Sequence, residues 1–328
     1  MKTVTSHFRF GAAFVCILAS CLLGSSPCGA DGLSVAKISS DGGLKQHPDI
    51  YGTRVVWQDS RHGKFDIYLY DTATGKETRI TQGIHDHKKP RIFQGRIFWQ
   101  DYRNGTSDIY MYDLATGKES PVMVSPAPKV DIAVSGDRIA WTDLGNGKGV
   151  ICLYDLSTKR EKRLGRGQGS QGFAALQGNN VVWKDERNDA GDIYLYNQVT
   201  DKETRITANK ESQWSPAIHD DLIVWEDNRN VDVLSNYDIY LYDLKTGRET
   251  QLTSNDANQR FPRIWGSKVV FVDNKRGEIE DIRLIDLSNG KETTITQGTK
   301  DQYTPAIFED SIVYSDLKHI YLATVPAK

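Results

Sequence analysis

The alternation of apolar and polar positions repeats with a long and regular beat. Trp57, Trp99, Trp141, Trp183 and Trp225 stand 42 residues apart, each closing a short apolar run such as Val55-Val56-Trp57. The series continues at Phe271 and Tyr314, after intervals of 46 and 43 residues. Each aromatic is followed by Asp-Ile-Tyr-Leu-Tyr-Asp or a variant of it, beginning at Asp66, Asp108, Val150, Asp192, Asp238, Asp281 and His319. Two separate series therefore count seven units, which makes the chain a repeat architecture before any single element is considered.

Within a unit the pattern predicts four short strands, in the first copy over 48–51, 54–58, 66–70 and 77–81. They are rich in Val, Ile, Tyr, Trp and Thr and are bounded by turn residues. Gly52 and Gly95 fit tight hairpins between the first two strands, and Gly75, Gly117, Gly247 and Gly290 fit the left-handed position before the fourth. Lys159 and Asp201 occupy that position in units three and four, so strain is expected there. In Ile67-Tyr68-Leu69-Tyr70 both parities are apolar, which requires cover on both faces of the sheet. No segment after the leader has helical period. An all-β, seven-bladed β-propeller of four-stranded antiparallel blades meets these conditions, because each blade packs against two neighbours.

The seventh unit supplies only three strands, 304–308, 311–315 and 319–323. The missing fourth has a counterpart at Val35-Ala36-Lys37-Ile38-Ser39, ahead of the first unit. The N-terminal strand is expected to complete the last blade and so to remove an unpaired edge.

The first 30 residues break this pattern. Lys2 and Arg9 precede an apolar stretch, Phe10 to Leu23, and no acidic residue occurs before Asp31. This is the profile of a secretory signal, and the stretch is too short for a bilayer-spanning helix. Residues 1–30 are read as a signal peptide, or as a lipoprotein signal in which Leu18-Ala19-Ser20-Cys21 supplies a lipid-anchored cysteine. Ordinary cleavage is preferred because Leu22 and Leu23 continue the apolar run past Cys21. Residues 31–328 then form a single domain with Cys152 as its one cysteine, so no intrachain disulfide can staple it.

Two of the 41 basic residues and none of the 43 acidic ones lie in the leader, which leaves the mature chain a formal charge of −4. Nucleic acid is excluded as a partner on that balance. No transmembrane segment is expected in the mature chain. The location expected is periplasmic, cell-surface or extracellular.

Residues 55–71, Val-Val-Trp-Gln-Asp-Ser-Arg-His-Gly-Lys-Phe-Asp-Ile-Tyr-Leu-Tyr-Asp, resemble the blades of TolB-type propellers, including the tandem propeller repeats of microbial surface proteins. The resemblance covers about residues 34–325. It implies a noncatalytic scaffold outside the cytoplasm that binds an envelope or surface protein, or a glycan. The sequence departs from TolB itself in having seven units where TolB has six and in showing no separate α/β domain. Those departures put TolB's partnership with a peptidoglycan-associated lipoprotein in question here. Relatives of this propeller class include peptidases and pectin-fragment lyases, which makes an oligosaccharide lyase or another propeller hydrolase the alternative.

Candidate site residues fall into three groups. An aspartate follows each marker aromatic by two, at Asp59, Asp101, Asp143, Asp185, Asp227, Asp273 and Asp316. These are expected to be structural, accepting N–H bonds in the loop after the second strand, with Arg61, Arg103, Arg187 and Arg229 as braces. Ligand contacts are expected where the units differ, around the channel mouth: His47, Lys88, Lys89, Phe173, Trp214, Arg260, Phe261 and Tyr303, beside the amides Gln171, Gln213, Gln259 and Gln302. The long loop from Asp227 to Tyr237, with Arg229, Asn230 and Asp232, is a second contact region. His62, His85 and His87 form a candidate divalent-metal site, with His47 and His319 on the same face. No catalytic residue is assigned and no cofactor is expected, since the chain has no Gly-x-Ser-x-Gly, His-Glu-x-x-His or phosphate-binding glycine loop. His47, Lys89 and Arg260 are the groups a lyase would draw on.

Overall fold

The computed structural model describes residues 32–145, 147–165, 169–230, 236–274, 279–296 and 300–326. The leader with its Cys21 alternative lies outside them, as does Asp232. The described residues form seven four-stranded antiparallel sheets and no helix. In the first blade the strands run Lys45–Tyr51, Arg54–His62, Lys64–Asp71 and Lys76–Arg79, and the other blades repeat this order. The last blade joins Tyr303–Phe308, Ser311–Ser315 and Ile320–Thr324 to Ser34–Lys37.

Closure is by main-chain pairing in register, with Val35 opposite Ala323 and Lys37 opposite Tyr321. Just past the strand, Ile38 donates its N–H to the Ile320 carbonyl at 2.9 Å, and Ile320 donates to the Ser39 hydroxyl at 2.9 Å. Ile38 is buried in a cluster with Trp57, Val55, Val313 and Ile320, so the residues that close the ring also pack blade seven against blade one. Six further apolar clusters join the remaining neighbours in the same way; Val56, Ile67 and Trp99, for example, join blades one and two. Each of the five marker tryptophans is essentially sealed from solvent. Loss of one such ring would cost about 3–5 kcal/mol.

Several strand ends differ from the sequence expectation, and two of them have identifiable reasons. The fourth strand of blade one ends at Arg79 rather than 81, because the Thr81 hydroxyl takes the Ile67 N–H at 2.8 Å in place of a ladder carbonyl. Thr207, Thr253 and Thr296 do the same in blades four, five and six. The first strand begins at Lys45 rather than 48, because the chain stays paired across a bulge. Lys159 and Asp201 adopt φ of 57° and 52°, the left-handed conformation that makes glycine the favoured residue there.

A candidate ligand-binding channel

The bulge in the first strand is the feature that builds the channel. In blade one Gln46 pairs with Gln58 and Asp49 with Val56, so His47 and Pro48 together oppose Trp57 alone. The same slip occurs in all seven blades. Its first residue is left-handed every time: His47, Lys89, Asp131, Phe173, Ser215, Phe261 and Thr304 have φ between 48° and 57°. Glycine is the usual occupant of such a bulge position, and none of the seven is glycine. Strain of this kind persists where the surrounding structure enforces it and something is gained from the side chain.

The local supports are visible. Lys89 donates its N–H to the Gln58 side chain at 2.8 Å, Phe261 to Glu226 at 2.8 Å and Phe173 to Asp131 at 3.3 Å, each acceptor belonging to the preceding blade. Proline follows the left-handed residue at Pro48, Pro90, Pro216, Pro262 and Pro305. A residue without an N–H is at home at a bulge on an edge strand.

All seven left-handed residues line one cavity of about 370 Å³ on the propeller axis. Phe173 and Phe261 are each 37% exposed at its mouth. Two residues deeper the lining reads Asp49, Arg91, Ala133, Ala175, Ala217, Arg263 and Ala306. Two residues deeper again come Tyr51, Phe93, Ser135, Gln177, His219 and Trp265. Here the rings touch in sequence around the axis: His219 to Trp265 at 4.4 Å, Trp265 to Phe308 at 4.3 Å, Phe308 to Tyr51 at 4.8 Å and Tyr51 to Phe93 at 4.6 Å between centroids. The three levels are thus a polar and aromatic mouth, a waist charged on one side and alanine-lined on the other, and an aromatic floor.

The waist is electrostatically unbalanced. Arg91 donates Nε–H to the Ile132 carbonyl at 3.1 Å, and Arg263 donates from Nη1 to the Pro262 carbonyl at 2.9 Å. Among the described ion pairs neither guanidinium has a carboxylate partner. Asp49 is the one acid at this level, and it is already engaged by the Ile92 N–H at 2.8 Å. Burial pushes the Asp49 carboxyl above its usual range against the pull of Arg91 and Arg263. Burial, followed by repulsion from Arg91, brings Arg263 down to about 10, so it stays charged at neutral pH. At the mouth, burial with Lys89, Arg91 and Arg263 nearby holds His47 down at about 3 and therefore neutral. Lys89 is partly balanced by Asp131 at 3.8 Å.

Of the residues expected at the mouth, His47, Lys89, Phe173 and Phe261 line the cavity. Trp214 and Arg260 lie just outside it: Trp214 meets Phe173 edge-on at 5.2 Å, and Arg260 sits over Phe261 at 5.3 Å while pairing with Glu226. Lys88 is turned toward Asp86, Phe65 and Tyr102, and the Tyr303 hydroxyl toward Asp301, so neither reaches the cavity. The four glutamines are a correction, because Gln171, Gln213, Gln259 and Gln302 are buried and bond to other blade residues, as in Gln171 to Asp185 at 2.8 Å. Arg91, Arg263 and Asp49 are the residues that sequence reasoning missed.

The three candidate metal histidines are not brought together. His87 is buried with its ring nitrogens 3.2 Å from Asp66 and 3.6 Å from Asp101, while His85 is exposed and His62 stacks on Tyr68. Among the described residues no group of three His, Cys, Asp or Glu side chains is arranged to hold a metal ion. His319 lies between Asp41 and Asp316. The seven loop aspartates are all buried, and Asp59, Asp101, Asp185 and Asp227 each accept the indole N–H of their blade's tryptophan and the N–H two residues on.

Comparison with solved structures bears on this architecture. A putative TolB from Agrobacterium tumefaciens superposes with a TM-score of 0.56 at 17% identity, covering 80% of this chain and 98% of its own. The chain has the fold of the TolB-type propellers. An oligogalacturonate lyase from Vibrio parahaemolyticus matches with a TM-score of 0.72 at 13% identity, and an oligogalacturonate lyase in complex with manganese with 0.69 at 16%. Each covers 92% of this chain and 96% of the lyase. No family model matches the sequence, and no curated protein matches it. At these identities the likeness to TolB and to the lyases is one of propeller fold. No helix among the described residues is long and apolar enough to cross a membrane.

Proposed function

We propose that this chain is an exported, noncatalytic propeller that binds an acidic ligand, presented by an envelope or surface protein or by a glycan, through the mouth of its central channel. The observation that carries the reading is the waist: Arg91 and Arg263 face a cavity with no carboxylate partner of their own. Two half-buried cations lining a ligand-sized cavity are complementary to an anion. The seven strained bulges support the same reading, since they keep large or polar side chains at the rim where glycine would relieve the backbone. Export rests on the leader profile, with ordinary cleavage preferred to a lipid anchor at Cys21.

The test is retention of ligand by the immobilised mature protein from envelope extract and from a glycan panel that includes oligogalacturonates. Replacing both Phe173 and Phe261 with Ala is expected to abolish retention with the fold intact. Unchanged retention would remove the channel mouth from consideration.

A second reading, elimination on an acidic oligosaccharide, draws on the likeness to oligogalacturonate lyases and on His47, which is held neutral beside Lys89. A neutral imidazole can accept a proton, but one held near 3 is a weak base at neutral pH, so this reading leans on the neighbouring cation to stabilise developing negative charge. Depletion of the glycan with formation of unsaturated ends would make this reading the correct one.

A further inference from the structure

The shape and chemistry of the cavity define how a ligand enters and what its tip must be. Five rings in blades five, six, seven, one and two, from His219 round to Phe93, touch one another at the floor and narrow the far end of the channel. Ser135 and Gln177 complete that level, and each is occupied: the Ser135 hydroxyl accepts the Gly178 N–H, and Gln177 reaches Asp220. These rings line the far end of the channel, and a chain end that enters at the mouth meets them last.

The waist adds polarity to that end. Charges lie on blades six, one and two, as Arg263, Asp49 and Arg91, whereas Ala133, Ala175 and Ala217 leave an open apolar wall on blades three, four and five. A sugar ring carries hydroxyls around its whole edge, and the alanine side chains of that wall offer them no partner. A carboxylate joined to a small aliphatic body fits both halves at once, with the anion toward the guanidiniums and the body against the alanines. Phe173 and Phe261 at the mouth then flank the residues that follow.

We infer that the channel captures the free C-terminus of a polypeptide, its terminal carboxylate held by Arg91 and Arg263 and its last, small aliphatic side chain lying on the alanine wall. This deepens the binding function proposed above, on which it rests, by naming the ligand as peptide and its recognised group as the terminal carboxylate. Amidating that terminus removes the charge without changing the body, which makes the group testable apart from the rest of the ligand.

The experiment measures fluorescence anisotropy of N-terminally labelled hexapeptides ending in Ala, Val or Leu, as free acids and as C-terminal amides, with oligogalacturonate as competitor. Free acids are expected to bind at least tenfold more tightly than amides. Arg91→Gln and Arg263→Gln are each expected to weaken the free acid about tenfold and to leave the amide unchanged. Because a change in the channel could disturb folding, Ala175→Phe provides a second variant: it fills the apolar wall, keeps both arginines and is expected to abolish binding at an unchanged melting temperature. Equal affinity for acid and amide, or no binding of either, would overturn the inference. Oligogalacturonate binding with no peptide binding would also overturn it while leaving the channel as a site for acidic ligands. Loss of every ligand from extract and glycan panel alike is the separate result that removes the broader reading.

Discussion

Arg103 grips Asp101, two residues before it, through two parallel bonds: Nε to Oδ1 at 2.8 Å and Nη2 to Oδ2 at 2.6 Å. The same guanidinium reaches Glu119 on the outermost strand at 2.7 Å and lies 4.1 Å over the Tyr110 ring. One side chain thus ties the second, third and fourth strands of its blade, and Arg61, Arg187 and Arg229 repeat the arrangement. Burial raises the Asp101 carboxyl, but hydrogen bonds from Arg103 and Trp99 together hold it below its ordinary value. Its stabilising effect is therefore present above the unfolded value of about 3.9 and is lost as the pH falls below that. Asp101→Ala strands the Trp99 N–H and leaves the Arg103 guanidinium with Glu119 alone, and is expected to lower stability by about 3 kcal/mol in urea unfolding. A change under about 0.5 kcal/mol, typical of a surface site, would show that the brace is not structural.

Blade three provides an internal comparison. It has Gly145 where blades one, two, four and five have arginine, and the Trp141 indole N–H is buried with no partner. Trp141→Phe removes that orphaned donor and should cost less than Trp99→Phe, whose indole bonds to Asp101 at 2.9 Å. Equal losses in thermal unfolding would mean that the tryptophan–aspartate bond contributes nothing.

Ring closure depends on a strand of four residues, Ser34–Lys37, followed by the buried Ile38. Deleting residues 31–40 opens the edge of Ile320–Thr324 and uncovers the cluster between blades seven and one. A sharp fall in melting temperature is expected, with the exposed edge promoting association between molecules. An unchanged melting temperature would mean that the ring is held by blade packing alone.

The fold could be read from the sequence because each blade solves the same packing problem at the same spacing: Trp57 and its counterparts must fill one space between sheets, and the Asp two residues on must cap one loop. The mouth was partly legible, as the units differ visibly at His47, Phe173 and Phe261. Arg91 and Arg263 were not, because their register holds alanine in four blades and aspartate in a fifth, so no period marks it. The bulge that sets this register has its own signal in the proline following five of the seven left-handed residues. Reading that proline as the start of a strand, rather than as a bulge within it, is what hid the waist.

Thr304 tests whether the bulge strain is real. It is β-branched at φ 48°, and its hydroxyl is buried with no partner. Thr304→Gly removes both penalties and is expected to raise stability by about 1 kcal/mol, even though a side chain is lost. A decrease measured by chemical unfolding would show that packing of Thr304 outweighs the backbone strain.

His47 carries the clearest pH signature. The unfolded chain takes up a proton near pH 6.5, whereas burial and the cations Lys89, Arg91 and Arg263 hold the native imidazole neutral to about 3. Acidification below about pH 6.5 therefore favours the unfolded chain, and the loss continues until the native imidazole itself protonates. Asp49 acts in the opposite sense, because its raised carboxyl accepts a proton in the native channel more readily than in the unfolded chain. His47→Asn keeps a residue that tolerates the left-handed backbone and removes the first effect alone. The variant is expected to gain on the parent as the pH is lowered from about 7 to about 5, by at most about 1.4 kcal/mol per unit. Parallel pH profiles for the two proteins would mean that channel water solvates the imidazolium, and the desolvated waist on which the anion site depends would be lost with it.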